Sequence, residues 1–160
     1  MGPRPVLSKL VSGGQTGVDR AALDVALRLG IPCGGWCPRG RRAEDGPIPA
    51  HYPLAETPER AYPQRTEWNV RDSDATLIVH AGPPRGGTAL TLRLARRQGK
   101  PVLRVDLDAH PDPASLSEWI ETNGIRVLNV AGPRESESPG IGDRAARLLE
   151  AVLGPAVSTP

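Results

Sequence analysis

The chain has 160 residues, of which 38% are hydrophobic and 24% are charged, as is ordinary for a globular protein with one core. Its formal net charge of +2 is too close to zero to indicate nucleic-acid binding. No apolar stretch approaches the ~20 residues that cross a bilayer, and Met1 to Pro5 lacks a signal-peptide pattern. We therefore expect one cytoplasmic domain over residues 1–160, with its core at about 6–153 and no membrane contact.

The first unit is a strand, a glycine-rich turn and a helix. A short apolar run at 9–12, extended back to Val6, leads into Ser-Gly-Gly-Gln-Thr-Gly-Val-Asp at 12–19, and a helix is predicted at 20–29. The glycines match neither a Walker loop nor the dinucleotide fingerprint. A helix start offers unpaired N–H groups, so the turn suits a phosphate; the alternative is a tight turn without a ligand.

Within this turn we predict a set of ligand-binding residues, which are Gly13, Gly14, Gln15, Thr16, Gly17 and Asp19. The glycines allow positive φ or close approach of a ligand to the backbone. Asp19 is also a candidate general base or acceptor for a ligand hydroxyl. Its place near the helix start equally suits a residue that stabilises the helix dipole.

Residues 33–51 are rich in glycine and proline, which excludes a long helix or strand. The segment holds three arginines, a tryptophan and the carboxylate pair Glu44–Asp45. Loops of this length are more often functional or disordered, although paired opposite charges also fit a solvated surface loop. Glu44 and Asp45 join Asp19 as candidate catalytic residues. Cys33 and Cys37 lack the partners of a zinc site, so we predict no metal site.

The middle of the chain repeats the order of strand, glycine loop and helix. The predicted elements are a short strand at 52–55, a helix N-cap at Thr57-Pro58, a helix at 63–72, a buried strand at 75–80, a glycine loop at 82–88 and a helix from about Ala89. The second set of predicted binding residues is Arg85, Gly86, Gly87 and Thr88. Arginine suits a phosphate because its guanidinium forms paired hydrogen bonds.

The last part of the chain continues the alternation. The predicted elements are a strand at 102–106, a helix opened by a capping box at Ser115–Glu118, a strand at 126–131, a loop at 132–140 and a helix begun by Ser138-Pro139. Arg134 and Ser136 of the loop are further candidate binding residues. The alternation predicts an α/β, Rossmann-like domain with a mainly parallel sheet and helices on both faces. Its three loops then meet at the carboxyl edge of the sheet, where ligands bind.

Several motifs resemble one known family. They are Ser-Gly-Gly-Gln-Thr-Gly-Val-Asp-Arg-Ala-Ala-Leu at 12–23, Gly-Trp-Cys-Pro-Arg-Gly-Arg-Arg-Ala-Glu-Asp-Gly-Pro-Ile-Pro at 35–49, Asn-Val-Arg-Asp-Ser-Asp-Ala-Thr-Leu-Ile at 69–78, Gly-Gly-Thr at 86–88 and Asn-Val-Ala-Gly-Pro-Arg-Glu-Ser at 129–136. Over residues 8–153 the chain resembles the proposed molybdenum carrier proteins, which are circularly permuted YpsA-like members of the SLOG superfamily. The resemblance implies a Rossmann-like homo-oligomer, a dimer or tetramer, that binds a nucleotide-like ligand or molybdenum cofactor (molybdopterin), a pterin that carries a phosphate.

The superfamily also contains Lonely Guy-type phosphoribohydrolases, which cleave nucleoside monophosphates with a glutamate that follows a Gly-Thr pair. Here Gly87-Thr88 is followed by residues 89–93 without a carboxylate. The resemblance therefore favours a binding or carrier protein. A nucleotide hydrolase, with Asp19, Glu44 or Asp45 as its acid, remains the alternative.

Overall fold

The computed structural model describes residues 7–155, so the expected extension of the first strand to Val6 lies outside the described residues. The elements in chain order are β1 (Lys9–Val11), α1 (Val18–Leu29), β2 (Cys33–Gly34), β3 (Trp36–Cys37), β4 (Arg42–Ala43), β5 (Gly46–Pro47), β6 (Ala55–Glu56), α2 (Tyr62–Arg71), β7 (Ala75–His80), α3 (Gly86–Arg97), β8 (Val102–Asp106), α4 (Pro113–Thr122), β9 (Val127–Ala131) and α5 (Ile141–Leu153). A 3₁₀ turn, Leu107–Ala109, follows β8.

The central sheet has five strands in the order β2-β1-β9-β7-β8, and every pair in it is parallel. Leu128 of β9 lies between Leu10 of β1 and Ala75 of β7, which places the last strand of the chain in the middle of the sheet. All six residues of β7 are buried, as expected of a strand covered on both faces. The predicted α/β class with a mainly parallel sheet is confirmed.

The helices form two groups. The helix α5 packs on α1 and on α4, whereas α2 packs on α3. Parallel crossovers are right-handed, so connections that run in opposite directions across the sheet place their helices on opposite faces. The two groups therefore cover both faces, and the core lies between each group and the sheet. Within residues 7–155, no helix is long and apolar enough to cross a membrane.

The segment 33–51 is more ordered than a structureless loop. It contains four two-residue strands, of which β3 pairs with β6 and β4 pairs with β5 in a hairpin that turns at Glu44–Asp45. The guanidinium of Arg41 fastens the following residues, because it donates to the carbonyls of Ile48, Pro49, Tyr52 and Leu54 at 2.8–3.2 Å.

The starts of two helices differ from the prediction because other residues cap them. The N-cap expected at Thr57 is wrong: its hydroxyl faces the carbonyls of Cys37 and Glu59, and α2 begins at Tyr62. The capping box at Ser115 is also wrong. The side chain of Asp112 caps α4 instead, by accepting the amide of Ala114 at 3.0 Å.

Other boundaries move by a few residues. The strand expected at 52–55 is β6, at Ala55–Glu56. The helix α3 begins at Gly86 rather than near Ala89. The helix α5 begins at Ile141, after Gly140 has turned the chain with a φ of 87°.

Candidate functional site

A pocket of about 390 Å³ opens at the carboxyl ends of β1 and β9 and at the start of α3. Each of the three glycine-containing loops contributes to its wall, and one side of α2 completes it. Its polar lining residues are Gln15, Asp19, Tyr62, Arg65, Thr66, Asn69, Thr88, Thr91, Arg93, Asn129, Arg134 and Glu137. The structure thus brings the loops at 12–19, 82–88 and 132–140 together at one edge of the sheet.

Asp19 lies in the wall of this pocket, at the second residue of α1, and only 6% of it is exposed. Its Oδ2 accepts the backbone amide of Gln15 at 3.2 Å. Burial raises the pKa of Asp19 from an ordinary 3.8 to about 6, against the opposing charge of Arg65 and the Gln15 hydrogen bond. Burial thus favours the protonated form of this carboxyl more than water would.

Arg65 of α2 lies in the same wall and was not predicted as a site residue. It is 9% exposed, and its guanidinium donates to the carbonyl of Gly13 at 2.8 Å and to the hydroxyl of Thr66 at 3.2 Å. Among residues 7–155, no carboxylate lies within 4.0 Å of it. Burial lowers the pKa of Arg65, yet a guanidinium stays charged in proteins. The pocket thus contains a buried cation without a directly bonded counter-ion.

Gly13 explains how Arg65 reaches this place. A Cβ at residue 13 would lie 2.6 Å from Nη1 of Arg65, so any side chain there would displace the guanidinium. The glycine therefore permits a close approach, but the group that approaches within the chain is an arginine. No sequence motif points to Arg65, which stands among polar residues of α2.

The first turn of α3 forms the second part of the wall. Gly86 and Gly87 both line the pocket, and a Cβ at either residue would meet no heavy atom within 4 Å. Their amides donate to no acceptor in the described part of the chain, as is usual for a first helical turn. Thr88 is 5% exposed and lines the pocket, whereas Arg85 precedes the helix outside the lining.

The third loop contributes Arg134 but not Ser136. Arg134 lines the pocket, and its Nε donates to Glu137 at 2.6 Å. Ser136 donates instead to Glu44, from its amide at 3.2 Å and from its hydroxyl at 2.5 Å. The loop therefore presents an arginine to the pocket and fastens a serine to the β4–β5 hairpin.

Glu44 and Asp45, the other two candidate catalytic residues, do not line the pocket. Glu44 accepts the hydroxyl of Thr16 at 2.5 Å as well as both donors of Ser136. Burial by itself would raise the pKa of Glu44, but the hydrogen bonds from Ser136 and Thr16 bring that pKa below its ordinary value. Asp45 forms a two-bond ion pair with Arg20 at 2.5 and 2.8 Å, which lowers its pKa. Both carboxylates hold loops together in this structure.

Three further predicted binding residues also lie outside the pocket lining. A Cβ on Gly14 would meet the side chain of Leu54 at 2.5 Å, and one on Gly17 would meet the carbonyl of Pro133 at 2.4 Å. Thr16 accepts the amide of Glu135 at 3.1 Å. At these positions the loop packs against neighbouring parts of the chain.

The tryptophan of the segment 33–51 lies outside the pocket, whereas a residue of β9 lines it. Trp36 packs edge-to-face on Trp68 at 4.8 Å and donates to Asp72, away from this pocket. Asn129 of β9 lines the pocket, is 3% exposed and was not predicted; its amide nitrogen donates to Thr76 at 3.3 Å. Within residues 7–155, no group of three His, Cys, Asp or Glu side chains could hold a metal ion.

Comparison with known proteins places this architecture in a family. The model of the circularly permuted YpsA SLOG family matches residues 10–153. The crystal structure of a "putative molybdenum carrier protein" from Syntrophus aciditrophicus SB is 46% identical, with a TM-score of 0.92, and the match covers 95% of this chain and 98% of that one. Among curated proteins, none matches the chain significantly. Because the family model spans nearly the whole described chain, the protein belongs to the circularly permuted YpsA SLOG family.

Proposed function

We propose that the protein binds a small phosphate-bearing ligand, a nucleotide or molybdopterin, in the pocket at the carboxyl edge of the sheet and serves as its carrier. The observation that carries the proposal is that two features line one pocket: the buried guanidinium of Arg65, which has no carboxylate within 4.0 Å among residues 7–155, and the glycine-rich start of α3. Arg65 supplies the charge, and Gly86 and Gly87 supply backbone amides at the positive end of α3, beside the side chain of Thr88.

The donors of the pocket fit the phosphate of molybdopterin. Burying a charge is costly, and the hydrogen bonds of Arg65 to Gly13 and Thr66 and the through-space charge of Asp19 offset only part of that cost. An anion bonded directly to Arg65 would lower it further. The two glycines leave space for an oxygen next to their amides, because a Cβ there would contact nothing. Arg93 also lines the pocket and adds positive charge around it, whereas the charge of Arg134 is balanced by Glu137 in the same lining. The carrier name of the relative from Syntrophus agrees with this ligand class.

We also propose that the protein is a homo-oligomer, a dimer or a tetramer, and that it works in the cytoplasm. Native mass spectrometry of freshly purified protein tests the ligand and the assembly together. We expect an oligomer that releases a phosphate-bearing small molecule on activation. A protein that carries no small molecule, and that binds no nucleoside monophosphate by calorimetry, would contradict the proposal.

The residue test compares two arginines. Arg65→Met removes the buried charge, and we expect it to weaken phosphate-ligand binding about 10- to 100-fold, the usual worth of a hydrogen bond to a charged group. Arg147→Met, on the exposed side of α5, is the matched control and should bind as the unchanged protein does. Equal affinities for the two variants would contradict a role for Arg65.

One observation favours a second function, a nucleotide hydrolase. Three carboxylates within residues 7–155 are catalytic candidates, and of these only Asp19 lines the pocket. A carboxyl with a pKa of about 6 suits general acid–base catalysis. Release of free base or phosphate from nucleoside monophosphates, abolished in Asp19→Asn, would support this alternative. No turnover over a panel of these compounds would count against it.

A further inference from the structure

Asp19 presents a difficulty for a ligand that is only an anion. A phosphate needs donors and positive charge, whereas the carboxylate of Asp19 is an acceptor in the same pocket wall and would repel it. The buried carboxylate must therefore face a part of the ligand that carries N–H or O–H donors. The pocket wall consequently distinguishes two ends of its ligand.

The free polar atoms of the wall can be identified. Oδ1 of Asp19 and Nη2 of Arg65 have no hydrogen-bond partner among residues 7–155. Within the same residues, no fully buried side-chain nitrogen or oxygen lacks a partner. The two atoms are therefore not fully buried, and both residues that carry them line the pocket.

The same loop fixes both side chains. Arg65 donates to the carbonyl of Gly13, and Asp19 accepts the amide of Gln15, so the two groups are anchored two residues apart on one turn. A donor and an acceptor, both at most 9% exposed, thus line one pocket from anchors on the same turn, with no ion pair between them within 4.0 Å.

From this pairing, and resting on the proposed function, we infer that Asp19 and Arg65 select a ligand ring with the 2-amino-4-oxopyrimidine edge shared by guanine and pterins. The carboxylate accepts the ring N–H and the amino group, and the guanidinium donates to the ring carbonyl oxygen. Both are standard pairings of these side chains with such donors and acceptors. The phosphate of the same ligand occupies the start of α3.

Other rings fit this wall less well. Adenine offers an unprotonated ring nitrogen where guanine offers N–H, so it places an acceptor against the carboxylate. Hypoxanthine keeps the N–H and the carbonyl but lacks the amino group, so it loses one hydrogen bond. The expected order of affinity is therefore guanine, then hypoxanthine, then adenine.

Calorimetry at pH 7.5 with GMP, IMP, AMP and 6-hydroxymethylpterin phosphate tests this order. We expect GMP to bind about 10- to 100-fold more tightly than AMP, with IMP between them, as a two-bond readout of a base edge gives. Tighter binding of the pterin phosphate than of GMP would assign the site to pterins, and the reverse would assign it to guanine nucleotides.

A variant tests the residue. Asp19→Asn should abolish the preference for GMP over AMP, while Asp143→Asn, in the exposed first turn of α5, should keep it. The ranking of the unchanged protein decides the matter even where Asp19→Asn is unstable. Equal affinities for GMP and AMP would overturn the ring selection and leave the phosphate site standing. Failure of all four compounds to bind would overturn both proposals.

Discussion

Glu44 accepts hydrogen bonds from Ser136 through both of its carboxylate oxygens, at 3.2 Å from the amide and at 2.5 Å from the hydroxyl. It also accepts the hydroxyl of Thr16 at 2.5 Å. One side chain at the tip of the β4–β5 hairpin thereby joins the first and the third loop of the pocket, which are 120 residues apart in the chain.

Replacing Glu44 should loosen this junction. We expect Glu44→Ala to lower the free energy of unfolding by about 2 kcal/mol, since hydrogen bonds to a charged group are among the stronger ones. The amide of Ser136 should also exchange with solvent faster. Denaturant titration and hydrogen exchange measure the two effects.

Glu150→Ala is the control, because its ion pair with Arg28 is exposed on both sides and such pairs contribute little. The pKa of Glu44 is lowered in the folded chain, so its contribution should be present above pH 4.5 and disappear as the pH falls through the folded-state pKa. Equal losses in the two variants at neutral pH would contradict this role.

Arg41 should be the most sensitive arginine of the segment 33–51. Arg41→Met removes a donor from four backbone carbonyls, of which those of Pro49 and Tyr52 keep a backbone amide, and we expect a loss of about 3 kcal/mol in the free energy of unfolding. Arg41→Lys should recover only part of it, because an ammonium lacks the fork of donors. Arg39→Met, at an exposed position, should change stability by less than about 0.5 kcal/mol in the same urea titration. A similar loss for Arg39→Met would refute the assignment.

Gly132 should tolerate no side chain. A Cβ there would lie 2.2 Å from the carbonyl oxygen of Val79 and 2.6 Å from a methyl group of Val18, so Gly132→Ala should cost about 3 kcal/mol of stability. Gly87→Ala is the control for stability, because its Cβ would meet no atom within 4 Å. Thermal melts of both variants measure the difference; a normal melting temperature for Gly132→Ala would show that the strand ends can separate.

Asp19 should make stability depend on pH in an unusual direction. The folded-state pKa of about 6 lies above the ordinary 3.8, so the folded chain binds the extra proton between these values. The stability that Asp19 provides is present below pH 3.8 and is lost as the pH rises to 6. Relative to the unchanged protein, Asp19→Asn should therefore gain up to about 3 kcal/mol between pH 4 and 7. Urea titrations of both proteins at pH 4, 5, 6 and 7 measure it, and a constant difference would contradict the shift.

The sequence predicted the sheet better than the helix starts. The bounds of β7 follow from a six-residue run rich in apolar and β-branched residues, all of them buried, as is typical of a central parallel strand. The start of α3 was set three residues late, because two glycines disfavour a helix and Arg85 is a poor cap. Thr57 and Ser115 have side chains that often cap helices, but neither stands at a helix start. Several residues of a segment can serve as a cap, and the local sequence does not show which of them tertiary packing selects.

The sequence predicted where the site lies but not which residues form it. Strand–loop order alone placed three loops at one edge, and the structure brings them to one pocket. Arg65 and Asn129 were missed because each belongs to a regular element whose pattern explains it without a ligand. Glu44 could be recognised as unusual, yet the sequence does not show that its oxygens are taken up by Thr16 and Ser136.

The central place of β9 decides when this chain can fold during synthesis. Until residues 127–131 have left the ribosome, β1 lacks its neighbour on one side and β7 lacks its neighbour on the other. The nascent chain must then keep two apolar strands apart with their hydrogen-bonding edges uncovered, a condition that promotes aggregation. A stop codon or frameshift before Val127 should consequently yield insoluble fragments rather than a smaller working protein.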